Sequence, residues 1–218
     1  TTTITPTLTP TPMLTPTPTP TTSTATPKTN ISNNAASDIH PAWSPDGNRI
    51  LFHSDRDEIG RDGNFELYVM NVDGSDVQRL TNQTARDLDP SWSGDGSRIY
   101  YVSWVDRDPD IFFMDADGSD QKFMTRSAEA DLSPQVSPVY ERFEGSPIVF
   151  HSLSQSSGIA HVFRMNVDGT VKLELTSSEN SDASPQWSPD GARILFDSMR
   201  DGDLEVYVMD ADGSNQIN

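Results

Sequence analysis

An all-β fold, a β-propeller of four four-stranded antiparallel blades, is what this sequence predicts, and three observations predict it. The phrase Asp-x-x-Pro-x-Trp-Ser-x-Asp-Gly stands at Asp38 to Gly47 as DIHPAWSPDG, at Asp87 to Gly96 as DLDPSWSGDG and at Asp182 to Gly191 as DASPQWSPDG, with a worn copy, DLSPQVSP, starting at Asp131. Its aromatic slot falls at Trp43, Trp92, Val136 and Trp187, spaced 49, 44 and 51 residues, a period too long for leucine-rich or ankyrin units and right for propeller blades. No window carries a long apolar period of about 3.6 residues, so helix is expected to be negligible.

The elements follow in order within each unit. The phrase supplies the first strand, and Asp46-Gly47, Asp95-Gly96 and Asp190-Gly191 turn it into the second. Second strands are the β-branched and aromatic runs Ile50 to Phe52, Ile99 to Tyr101, Ile148 to Phe150 and Ile194 to Phe196. Third strands are Glu66 to Asn71, Asp110 to Asp115, His161 to Asn166 and Glu205 to Asp210. Their two largely apolar faces suit sheets stacked between neighbours. Each runs into Asp73-Gly74, Asp117-Gly118, Asp168-Gly169 or Asp212-Gly213, dipeptides that supply the positive φ a tight hairpin needs. An outer strand such as Val77 to Thr81 completes the unit. The blades are expected at about 38–82, 87–126, 131–177 and 182–218, within a propeller region of 28–218 that follows an extended segment, 1–27.

This pattern resembles the TolB-type (WD40-like) propeller repeat, also found in the gating propellers of prolyl-oligopeptidase-like enzymes, from about Asp38 to the last residue. The resemblance implies the fold, which serves many unrelated tasks. Relatives usually close with more blades, which leaves three arrangements open: a compact four-bladed ring, an excerpt of a longer protein, or an open propeller completed by a second chain. Pro27 to Asn30 precedes Asp38 by about the interval that separates Leu80 to Asn82 from Asp87, so it is expected to act as an outer closing strand.

The formal charge is −18, and the first 27 residues contain no ionisable side chain, so the acidity belongs to the repeats and disfavours nucleic acid as a partner. The absence of cysteine excludes disulfides, thiolate metal sites and a cysteine nucleophile. No apolar run is long enough to span a bilayer, so no membrane insertion is expected. A start at Thr1 is expected of a processed or excised product.

Residues 1–27 are about half Thr and a quarter Pro, a mucin-like composition that favours extended polyproline II and O-glycosylated stalks. Candidate glycan sites are Thr5, Thr7, Thr9, Thr11, Thr15, Thr17 and Thr19, with Asn30 (Asn-Ile-Ser) and Asn82 (Asn-Gln-Thr) in N-linked sequons. Ile4, Leu8, Met13 and Leu14 interrupt the Thr/Pro run and are candidates to dock on a protein partner, a second copy of this chain included.

In a propeller the start of each first strand and the end of each second strand meet near one mouth of the axial channel. The residues there are Asp38, His40, His53, Asp87, Asp89, Asp131, His151, Asp182 and Asp197, carboxylates and imidazoles that suit a cation such as calcium or a transition metal. No catalytic residue or metal ligand is assigned. The repeated Asp is better explained by backbone hydrogen bonds in the loops between blades, and the repeated Trp by blade packing. Arg56, Arg107 and Arg200 stand beside Asp57, Asp108 and Asp201 as expected surface ion pairs, and Gly-x-Ser-x-Gly and phosphate-binding glycine motifs are missing.

The reading is a non-enzymatic bacterial module, extracellular or on the cell surface, that interacts with protein and assembles into a filament or surface layer through a glycosylated Thr/Pro segment. One alternative is a TolB-like, periplasmic protein-binding propeller of the envelope. Another is a polysaccharide-active or peptidase-associated propeller with a metal at the axial mouth.

Overall fold

The computed structural model describes residues 29–57, 63–105, 108–139 and 147–218. The chain divides into two units, Thr1–Asn30 and Ile31–Asn218, and all the blades lie in the second. Ile4, Leu8, Met13, Leu14 and the candidate glycan threonines lie outside the described residues. Asn30 and Asn82 are described and exposed.

Every element among the described residues is a strand. Blade one is β1 (Asp38–Trp43), β2 (Arg49–Ser54), β3 (Glu66–Asn71) and β4 (Gln78–Arg79). Blade two is β5 (Asp87–Trp92), β6 (Arg98–Ser103), β7 (Asp110–Asp115) and β8 (Lys122–Phe123). Blade three is β9 (Ala130–Val136), β10 (Ile148–Leu153), β11 (Ala160–Met165) and β12 (Leu173–Glu174). Blade four is β13 (Asp182–Trp187), β14 (Arg193–Ser198) and β15 (Glu205–Asp210), each blade pairing in sequence order and antiparallel. The outer edge of blade four is reduced to one bridge, Val208 with Ile217, closed by two backbone hydrogen bonds of 2.9 Å. Ile217 takes that edge position; of the expected closing segment Thr29 and Asn30 form no strand, and Pro27 and Lys28 lie outside the described residues.

The phrase builds its own turn. Ser44 Oγ donates to Asp46 Oδ1 at 2.6 Å and accepts from the Arg49 N–H at 2.9 Å, which ties the Trp-Ser-x-Asp-Gly hairpin to the start of the second strand. Ser93 with Asp95 and Ser188 with Asp190 repeat the arrangement. At the later hairpins Gly74 and Gly118 need φ of +84° and +89°, and a Cβ on Gly118 would stand 2.8 Å from the Leu80 carbonyl of blade one, so only glycine fits there.

The cores lie between blades. Leu51 and Val69 of blade one pack against Trp92, Ile99 and Tyr101 of blade two. Tyr100 and Ile111 of blade two meet Val136, Ile148 and Phe150 of blade three. Val149 and Val162 of blade three meet Ile194, Phe196 and Trp187 of blade four. Among the described residues no element of blade four touches one of blade one. The described blades therefore form an open arc and not a closed ring. Both end faces show it. Trp43 is 64% exposed where Trp92 is 6%. At the other end Leu195 and Val206 are 45% and 57% exposed, although Leu51 and Leu67, which hold the same slots in blade one, are 0%. A groove of about 330 Å³ runs along the uncovered face of blade one past Ile39, Trp43 and Met70.

Candidate axial site

Each inner strand carries one β-bulge. His40-Pro41 stands opposite Phe52 alone, because Ile39 pairs with His53 and Ala42 with Leu51. Asp89-Pro90, Ser133-Pro134 and Ser184-Pro185 repeat the offset opposite Tyr101, Phe150 and Phe196. Proline suits the second position because a bulge asks no ladder N–H of it. The residue before it takes the left-handed conformation, with φ of 50° at His40, 50° at Asp89, 53° at Ser133 and 54° at Ser184. Strand alternation would send residues two apart to the same face, and the left-handed residue breaks that rule. The fixed Asp of the phrase turns into the blade while the residue two places on turns into the axis.

These four residues line one cavity of about 590 Å³, together with Pro41, Pro90, Pro185, Gln135 and Gln186. His40 Nδ1 is in short contact with Asp89 Oδ1, and Ser133 Oγ donates to Asp89 Oδ2 at 3.3 Å. Behind this wall lies His53, 3% exposed, whose Nδ1 accepts the Asp89 backbone N–H at 3.2 Å. His151 does the same for the Ser184 N–H at 3.4 Å. Burial, and then the neighbouring His40, pull His53 down to about 4 against the opposing charge of Asp89, and burial lowers His151 as well. Both imidazoles are therefore neutral at pH 7, the form that can accept a hydrogen bond. In each case a histidine ending one blade's second strand holds the bulge of the next blade.

The other proposed mouth residues do not line the cavity. Asp87, Asp131 and Asp182 are fully buried, and Asp38 is largely buried. Arg56 reaches Asp38 at 2.7 Å, Lys172 reaches Asp131 at 3.3 Å and Arg200 reaches Asp182 at 3.1 Å. Each of these cations also lies over two aromatic rings of its own blade: Phe52 and Tyr68, Phe150 and Phe163, Phe196 and Tyr207. Arg56 and Arg200 thus pair with the Asp that opens the phrase and not with Asp57 and Asp201, whose carboxylates instead accept from the Tyr68 and Tyr207 hydroxyls. Arg107 lies outside the described residues. In blade two Asp87 accepts from Ser103 Oγ, its second oxygen has no partner among the described residues, and burial raises it to about 7 in spite of the Ser103 hydrogen bond. Asp197 is half-buried in mid-blade, opposite Ala183 and Val206.

Ser133 and Ser184 were not legible as site residues from chemistry alone, since serine is common in such loops. The signal available was positional: they share the column of His40 and Asp89, the residue before the repeated proline.

Comparison with known proteins agrees with this architecture. The TolB beta propeller domain family matches residues 58–143. A TolB homolog of Chlorobium luteolum is 38% identical over 53 residues, 24% of this chain and 12% of that protein. A solved TolB-like protein of Agrobacterium tumefaciens aligns with a TM-score of 0.69 at 26% identity, covering 82% of this chain and 63% of that one. TolB of Acinetobacter baumannii aligns at 0.70 and 21% identity over 83% and 43%. The same fold alone is shared with an oligogalacturonate lyase in complex with manganese, at 0.60 and 13% identity over 81% and 50%. The chain spans less than two thirds of each of these proteins. Blades, phrase and matches together show a β-propeller whose repeats are similar to those of TolB-type proteins.

Proposed function

We propose that this chain is a non-enzymatic, protein-binding propeller of the bacterial envelope, periplasmic in the manner of TolB-like proteins, and that it takes its partner at the axial mouth. The observation that carries the reading is the TolB-type repeat, matched by family and by fold. The geometry adds a reason for the place. The phrase is constant where it builds the blade and varies, His40, Asp89, Ser133 and Ser184, where it meets the cavity, and variation on a rigid scaffold is where specificity is written. The acidic repeats favour a partner segment with basic residues.

Assembly into a filament through a glycosylated Thr/Pro segment draws no support from these relatives, and its residues lie outside the described structure. Protein binding of the TolB kind is therefore the better reading.

Immobilised chain is expected to retain a discrete envelope protein from a bacterial periplasmic extract. A Ser184→Lys, Gln186→Lys variant, altered at two exposed rim positions, should lose most of that retention, whereas Glu174→Lys on the outer edge should keep it. Equal retention by both variants would refute the axial mouth as the binding face.

A further inference from the structure

The four bulge positions are not chemically equal. Blades three and four place serine there, which shows that blade construction asks for nothing more than a small polar residue. Blades one and two place His40 and Asp89, and a second imidazole, His53, stands directly behind them. The rings of His40 and His53 meet edge to face with centroids 5.0 Å apart. One ligand atom from each of His40, His53 and Asp89 lies within 4.8 Å of the others.

We propose that His40, His53 and Asp89 form a binding site for one divalent transition-metal ion, of the zinc class, on the wall of the axial cavity between blades one and two. Two imidazole nitrogens and a carboxylate are the donor set of zinc, cobalt and nickel, whereas calcium takes six to eight oxygens. The calcium considered from sequence is therefore the poorer fit.

Ligand atoms around a tetrahedral zinc lie about 3.3 Å apart. The present spread closes by rotation of His40, whose side chain is 60% exposed and would exchange its contact with Asp89 for the metal. The protein prepares the rest. Backbone bulges fix where His40 and Asp89 start, Ser133 Oγ holds the second Asp89 oxygen, and the Asp89 backbone N–H on Nδ1 fixes the orientation of the buried His53 ring. Remaining coordination positions face the cavity, where water or an oxygen of a bound partner fits. Because the ligands come from two blades, the ion would also tie blade one to blade two.

The test is calorimetric titration of the EDTA-treated full chain with zinc chloride, repeated with cobalt chloride to read the ligand field by absorption, and with calcium chloride. One zinc per chain is expected, with a rise in melting temperature, cobalt bands of a nitrogen and oxygen site, and no calcium heat. His40→Ala and Asp89→Asn should each weaken zinc by about tenfold or more. His161→Ala, which removes the surface histidine paired with Glu174, should leave it unchanged. His40 is exposed, so that variant tests the site without threatening the fold. Absence of zinc binding, or binding that His40→Ala leaves intact, would overturn the proposal, as would loss of binding in His161→Ala.

Discussion

Arg200→Ala is expected to lower the unfolding free energy by about 3–5 kcal/mol, the range for removing one partner of a buried ion pair. Asp182, fully buried, would keep its Ser178 hydroxyl at 2.9 Å and lose the guanidinium. Arg200 also bonds Ser198 at 2.8 Å and Gln216 at 2.7 Å and lies 4.5 Å from the centre of the Tyr207 ring. One side chain thus connects the opening of the phrase, the second strand, the third strand and the outer edge of blade four. Adding Asp182→Asn should recover part of the loss, because the orphaned charge goes with it. Denaturant unfolding of the two variants decides the matter, and a single-variant cost below about 1 kcal/mol would make the pair an ordinary surface contact.

Trp92→Ala and Trp43→Ala are expected to differ sharply although the two tryptophans hold the same slot of the repeat. Trp92 is 6% exposed, sits in the core between blades one and two, and has the Arg49 guanidinium 4.8 Å from its ring centre. Its removal should cost about 3–5 kcal/mol, the usual range for a buried aromatic. Trp43 is 64% exposed, with no described blade packed on it, and its removal should cost no more than about 0.5 kcal/mol. Equal and large losses in both would mean that the face of blade one is covered in solution and that the arc is not open.

The strands were legible because their causes are local. Alternating β-branched and aromatic runs between Asp-Gly turns placed the third strands of blades one, two and four at the observed bounds, and that of blade three one residue late. The worn third phrase, with Val136 in the tryptophan slot, still forms a full first strand, because the bulge before Pro134 and the pairing with β10 do not depend on the aromatic. The bulge itself was not legible. A residue before proline is ordinarily extended, and nothing in His40-Pro41 or Asp89-Pro90 announces a left-handed φ; the register of the neighbouring strand imposes it. For the same reason Asp38 and His40 read alike in sequence and part company in the fold, one into the blade and one into the cavity. The exposure of Trp43 and Leu195 is a property of the arc as a whole and is written in no single repeat.

The central claim is that a protein partner engages the axial mouth of this propeller. A photo-crosslinking amino acid placed at position 184, exposed at the cavity rim, and separately at position 174, exposed on the outer strand β12, tests it most directly when the chain is expressed in a bacterial periplasm. The account predicts a discrete adduct with an envelope protein from position 184 and none from position 174. An adduct from position 174 with none from position 184 would contradict it.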